Sequence, residues 1–365
     1  MSFSEFHGNP DVVRRLREML ARDRFPHAVI LAGAEGTGKY TLSLMLARAM
    51  NCLQPLETDG LRDYCGVCSN CQRIAQSEDL ETLCAEAVEA REGLRDTDKR
   101  ETRIFVQTHP DVLIIPPDPP QMMIKVDQVR HVIKTIHYAP VEGRRRIFIF
   151  TDSAFMKETA HALLKILEEP PDYATIFLLA KNPGDLLPTI RSRCVLFRFS
   201  PLSAEAIEQD LAKHRPEWNA RQRQLVARLS GGAVGLARSL DLAEYMESRK
   251  DALVLLNAAT RAADHSMLFQ TTENYRAGAE GKEKTDQLLR ALYLLLKDLL
   301  AINSGTPDLV RNTDIAAELK ALAGVVDFQW VVQATQQLGQ VQSGMRRNVL
   351  RSLSLDAMAL SLEKG

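Results

Sequence analysis

Residues 26–52 read PHAVILAGAEGTGKYTLSLMLARAMNC: an apolar run, a glycine-rich loop, then a stretch whose Leu42, Leu44, Leu46, Ala49 and Met50 suit a buried helix. Strand, glycine loop and helix in that order open a βα unit, so the chain is committed to an α/β beginning. A chance glycine-rich turn would have no reason to carry both flanking elements.

The loop itself, GAEGTGKY, comes close to the phosphate-binding pattern G-x-x-x-x-G-K-[ST]. In that pattern backbone N–H groups and a helix N-terminus surround phosphate oxygens, lysine reaches the outer phosphates, and a hydroxyl holds magnesium. Gly33, Gly38 and Lys39 match, with Gly36 between them, but position 40 is tyrosine. A phenol is too long for the place of a serine hydroxyl, and Thr41 is turned by about a hundred degrees on a helix of 3.6 residues per turn. The anion cradle (Gly33, Gly36, Gly38, Lys39, Tyr40, Thr41) therefore suits ATP or ADP phosphates better than it suits metal-assisted hydrolysis.

Buried strands are expected again in DVLIIP, RRIFIF, ATIFLLA and CVLFRF, separated by helical stretches such as KVDQVRHVIKTIHY and KETAHALLKILEEP. Apolar strands alternating with helices predict a parallel sheet covered on both faces. From about Ser200 the strand-like runs stop and helices are predicted to the end. Residues 74–106 are polar and weakly periodic, as in a surface insertion with some helix. A flexible break is expected at ENYRAGAEGKEK, where glycine and charge interrupt the helical pattern.

With 365 residues and 45% hydrophobic content the chain can fill two or three domains. Its formal charge of -1 excludes a global basic field, so any nucleic-acid contact must be a local patch. No run of about 18 apolar residues and no signal-peptide order at the N-terminus is present, so a cytoplasmic protein without membrane contact is expected.

In a reducing compartment six cysteines point to metal rather than disulfides. Cys65, Cys68 and Cys71 form C-x-x-C-x-x-C, and Cys52 supplies a fourth thiolate, the set that a closed tetrahedral zinc site requires. An iron–sulfur cluster and free buried thiols are the competing readings. Cys84 is an alternative to Cys52, and Cys194 falls on a predicted strand as ordinary core.

After RRIFIF the sequence runs TDSA. Asp152 stands where a P-loop ATPase places its magnesium-binding acid, yet no glutamate follows to activate water. In LLPTIRSRC, Arg191 and Arg193 precede a strand; spacing alone makes them a surface pair.

The segments HAVILAGAEGTGKYTLSLMLARAMNC, CGVCSNC, HALLKILEEPP and LLPTIRSRC occur in the order seen in bacterial DNA polymerase III sliding-clamp loaders of the AAA+ class, which this chain resembles over roughly residues 5–240. The resemblance implies an AAA+ α/β domain over 1–199, with a zinc module at 52–71 and an insertion near 74–106. A small helical lid over 200–245 and a helical collar over 246–365, through which five subunits form a ring, would follow. Among the subunit types, three features are similar to the one with eroded nucleotide motifs. Tyr40 replaces the metal hydroxyl, TDSA replaces an Asp–Glu pair, and Gly235 stands where motor subunits carry a lid arginine, with Arg238 three residues on. The resemblance then makes Arg193 an arginine finger offered in trans to a motor neighbour, with no independent catalytic activity. Implied partners are the motor (gamma or tau) and delta subunits, the sliding clamp, and primer-template DNA through the assembled complex.

Arg130, Lys134 and His137 fall on one helical face, with Arg144, Arg145 and Arg146 close by, as a candidate phosphate-contacting patch or a solvated face. Two further readings stand beside the eroded subunit. One is an active motor subunit served by Lys39 and Asp152; the other is a zinc-stabilised nucleic-acid-binding module on a derelict P-loop fold.

Overall fold

The structure, a computed structural model, describes residues 2–119, 121–261, 264–276, 278–345 and 350–363. Two compact units divide the chain: Met1–Leu202 with Ala233–Gly235, and Ser203–Gly232 with Leu236–Gly365.

The first unit holds strands β1 (Ala28–Ala32), β2 (Leu56–Thr58), β3 (Leu61–Asp63), β4 (Val106–His109), β5 (Val112–Ile115), β6 (Arg146–Phe150), β7 (Ala174–Ala180) and β8 (Val195–Arg198). Its helices are α1 (Pro10–Ala21), α2 (Lys39–Asn51), α3 (Ser69–Ala75), α4 (Leu80–Glu92), α5 (Asp96–Glu101), α6 (Val126–Thr135), α7 (Lys157–Glu168) and α8 (Pro188–Arg191). Six strands form one sheet in the order β4-β5-β6-β7-β1-β8. From β5 to β8 all neighbours are parallel.

Every residue of β1 and β7 is buried, which is why both strands read as continuous apolar runs rather than alternating ones. Alternate residues of β1 serve opposite faces. Val29 and Leu31 pack with Leu16 of α1 and Leu42 and Leu46 of α2. Ala28, Ile30 and Ala32 pack with Val129 and Val132 of α6 and Leu163 of α7. The strand order reverses at β1, which lies between β7 and β8, and at such a switch point the loop leaving the carboxyl end faces an open crevice.

The α/β class followed by helices is as expected, but the sheet is not wholly parallel. Strand β4 pairs antiparallel with β5 and closes the sheet at one edge. It begins at Val106, where the weakly patterned segment ends, and its short, irregular register gave no period-two signal. Residues 74–106, expected to hold some helix, contain α4 and α5, and side-chain pairs tie them to the rest of the unit. Arg91 of α4 donates to Asp118 at 2.6 Å with both side chains buried, and Arg103 reaches Asp127 of α6 at 2.8 Å.

The second unit consists of α9 (Ala204–His214), α10 (Ala220–Leu229), α11 (Val234–Ser239, whose first two residues group with the first unit), α12 (Leu242–Arg261), α13 (Ser266–Glu273), α14 (Gly278–Asn303), α15 (Ala316–Ala323), α16 (Phe328–Met345) and α17 (Arg351–Ser361). Side-chain caps start several of them: Ser203 accepts from the Ala206 N–H, Asn219 and Gln222 form a capping box, and Asp241 and Asp327 accept from the Glu244 and Trp330 N–H groups at the starts of α12 and α16. Leu288, Leu292, Leu295 and Leu299 make α14 the buried axis, and Trp330 of α16 donates its indole N–H to the Leu362 carbonyl at 2.8 Å. The expected break at 273–284 is shorter than glycine and charge suggested, because α14 already runs from Gly278 and the helical leucines outweigh Gly281. Among the described residues no helix is long and apolar enough to cross a membrane.

Candidate functional site

Gly33 follows β1, and its N–H donates to the Ala180 carbonyl at 3.1 Å. A Cβ there would lie 2.8 Å from that of Phe199, so only glycine lets the loop leave the sheet at this point. Gly36 and Gly38 have φ of +74° and +87°, the left-handed conformation that turns the chain into α2. The first-turn N–H groups of α2, which have no acceptor inside any helix, open towards this loop.

Lys39, the first residue of α2, donates from its ammonium to the carbonyls of Gly33 (2.7 Å) and Ala34 (2.6 Å). Burial pulls it down to about 8, while Glu35 and Asp152 hold it up. Lys181, at the end of β7, pairs with Glu35 at 2.9 Å. The Thr37 hydroxyl donates to the Ala34 carbonyl at 2.8 Å. Cationic and amide donors thus gather around the loop as an anion cradle requires.

The residue at the magnesium-hydroxyl position does not join them. Tyr40 packs against the core, where its hydroxyl donates to the Ser77 carbonyl at 2.5 Å and burial holds the phenol above its ordinary pKa, in the neutral form. Thr41 faces solvent on the next helical position. Asp152 spends one carboxylate oxygen on the Ala154 N–H at 2.8 Å. Gly235 donates its N–H to the Gly36 carbonyl at 2.8 Å, and a Cβ at 235 would sit 2.8 Å from that same oxygen. Arg238 is engaged bidentately by the buried Asp210, at 2.7 and 2.5 Å within the second unit.

A second cluster lies at the far end of α2. The Sγ atoms of Cys52, Cys65, Cys68 and Cys71 all lie within 4.8 Å of one another, with Cys52 to Cys65 at 3.5 Å. Zinc–sulfur bonds of about 2.3 Å in a tetrahedron place sulfurs about 3.8 Å apart, so the set fits a zinc ion. Backbone N–H groups of Cys65 and Cys68 point at the sulfurs of Cys52 and Cys65, each at 3.3 Å. Cys52 caps the end of α2 and Cys71 sits in α3, both buried, so a metal ion held by the four sulfurs would staple these helices together. Cys84 is not part of this group; it packs on the neighbouring core. Cys194 is core-like, and burial pushes its thiol up to about 12.

The long gap between Cys52 and Cys65 is filled by the β2–β3 hairpin. Its turn is Asp59–Gly60, both at positive φ (55° and 70°), and Arg17 of α1 donates to the carbonyls of Thr58, Leu61 and Arg62. The D-G pair flanked by short β-prone runs is a hairpin signal that a reading centred on the cysteines misses.

Arg193 lies in the turn between α8 and β8, within the first unit but lining a separate cavity of about 450 Å³ with His27, Glu168, Ser192 and Cys194. Its guanidinium donates to the Thr189 carbonyl at 2.9 Å and to Glu168 at 2.8 Å. Arg191 does not line this cavity. Of the candidate phosphate-contacting patch, Arg130, Lys134 and His137 are exposed; Arg130 pairs with Asp127, and Arg145 with Asp23.

Comparison with known proteins places this geometry in context. Residues 8–203 match the family model described as "DNA polymerase III, delta subunit". DNA polymerase III subunit delta' of Bacillus subtilis is 27% identical over 98% of this chain and 96% of its own length. Subunit delta' of Pseudomonas aeruginosa is 30% identical over 60% of this chain and 57% of its own length. Subunit tau of Escherichia coli is 27% identical over 66% of this chain, which spans only 32% of that longer protein. The model covers more than half of the residues, and on that basis the chain belongs to the DNA polymerase III delta subunit family.

Proposed function

We propose that the chain acts as the delta' subunit of a DNA polymerase III clamp loader, completing the ring and stimulating a neighbour's ATP hydrolysis without hydrolysing ATP itself. One observation carries the reading: the loop keeps the glycines and lysine of a phosphate cradle, while the tyrosine at the metal position spends its hydroxyl on Ser77. The residues present fit ATP or ADP phosphates and do not fit a magnesium-dependent hydrolytic centre. An active motor subunit is disfavoured by the same residues, because Asp152 has no acidic neighbour to act as base and is turned to Ala154.

Under this reading the N-terminal α/β domain (1–199) carries the zinc module, residues 200–245 form the lid and 246–365 the collar. Cys52, Cys65, Cys68 and Cys71 would hold zinc, which supplies a structural cross-link. Motor (gamma or tau) and delta subunits complete a hetero-pentamer in the cytoplasm. The assembly acts on the sliding clamp and meets primer-template DNA as a whole. Arg193 is offered in trans, where a planar, permanently charged guanidinium stabilises negative charge on a transferred phosphoryl group.

Reconstitution tests the proposal. Mixed with motor and delta subunits, the chain is expected to enter one stable assembly on a sizing column, whereas alone it turns over ATP negligibly. Stimulated turnover by the chain alone with clamp and primed DNA contradicts the proposal, as does its persistence as an unassociated species.

A further inference from the structure

Glu168 is the last residue of α7, and Arg193 lies twenty-five positions later, beyond β7 and α8. The fold brings them together at the wall of a cavity of about 450 Å³. The Arg193 guanidinium is held there chiefly by the Glu168 carboxylate at 2.8 Å and the Thr189 carbonyl at 2.9 Å, with a longer contact of 3.5 Å to the Ser192 hydroxyl. A guanidinium carries five N–H donors in a rigid plane, so these tethers fix its orientation and leave donors for a further acceptor.

We infer that Glu168 is a positioning residue for Arg193, tethering the guanidinium so that its remaining donors are pre-set for a phosphoryl oxygen of a neighbouring subunit's nucleotide. This rests on the reading of Arg193 as a finger acting in trans. Two effects of the carboxylate oppose each other: it orients the cation, and it offsets part of its charge. With side-chain exposures of 36% for Arg193 and 52% for Glu168, water screens the charge effect, and exposed pairs of this kind contribute little by Coulomb attraction alone. Orientation dominates, since arginine's long stem otherwise loses its rotamer freedom at the moment of contact.

The test is steady-state ATP hydrolysis by the assembled ring containing motor subunits. Glu168→Ala is expected to lower kcat about three- to tenfold while leaving KM for ATP unchanged, because the finger acts on charge that develops in the transition state. Glu168→Gln keeps an oxygen acceptor without the charge and is expected to stay within about twofold of wild type. The double variant Glu168→Ala with Arg193→Ala is expected to be no slower than Arg193→Ala alone, since the tether acts only through the finger. A wild-type or faster rate for Glu168→Ala overturns the tether, as does a Glu168→Gln ring as slow as the alanine variant, or losses that multiply in the double variant. If Arg193→Ala slows the ring while Glu168→Ala does not, the finger stands and the tether falls. If Arg193→Ala has no effect, the finger itself is wrong. Unchanged thermal midpoint and ring assembly for Glu168→Gln show that the comparison is made on folded protein.

Discussion

The phenol of Tyr40 donates to the backbone carbonyl of Ser77 at 2.5 Å, tying the first turn of α2 to the turn that follows α3. The position that a hydrolase uses to hold magnesium is here a strut between the glycine loop and the helix that carries Cys71. Under the proposed function the loop is kept as structure while its metal chemistry is lost.

Removing only the hydroxyl, in Tyr40→Phe, leaves a buried carbonyl without its donor and is expected to cost about 1 kcal/mol. Tyr40→Ser restores a hydroxyl of the right length but empties the tyrosine's volume, with a loss of about 3 kcal/mol. Urea unfolding measures both. The serine variant is still expected to lack ATPase activity, because Asp152 remains turned to Ala154 and no base accompanies it. Turnover by Tyr40→Ser alone would show that the missing hydroxyl was the sole lesion.

Lys39 gives a pH signature. Its folded value is lowered to about 8 from the ordinary 10.5, so between those values the unfolded chain binds more protons and stability rises with pH. The stability difference between wild type and Lys39→Met should therefore shift in favour of wild type from pH 8 to 10.5. Denaturant midpoints across that range check it, and a flat difference rejects the desolvated lysine.

About one zinc per chain is expected on metal analysis from a four-thiolate site. Cys65→Ser should release it and lower the thermal midpoint, because the cluster fastens the end of α2 to α3. Full stoichiometry in a variant lacking Cys52 would remove that residue from the ligand set.

The insertion can be tested through Arg91 and Asp118. Their buried pair, supported by Lys125 at 3.4 Å, holds α4 to the loop after β5. Arg91→Ala leaves the buried acid short of its main partner and is expected to destabilise by about 3–5 kcal/mol. A loss under about 1 kcal/mol in urea unfolding would mean that the insertion is not integrated into the domain.

Much of this was legible in the sequence because the signals were strong and local. Fully buried parallel strands such as ATIFLLA are continuous apolar runs, and a glycine loop between strand and helix has one physical reading. The cysteine spacing likewise brought three sulfurs together before any fold was known. Strand β4 escaped because it has only four residues and its burial does not alternate regularly. The β2–β3 hairpin escaped because Asp59–Gly60 lay between cysteines that drew a metal reading. The Glu168–Arg193 pair was invisible for another reason: the residues lie far apart in the chain and meet only through β7 and α8.

The central claim is that this chain activates a neighbour's nucleotide rather than its own, and ATP hydrolysis by a ring rebuilt with Arg193→Ala tests it most directly. The variant is expected to assemble normally while the neighbouring motor loses about three to five powers of ten in its stimulated turnover, the range seen for fingers that dominate catalysis. An assembled ring that hydrolyses ATP at the wild-type rate would contradict the account.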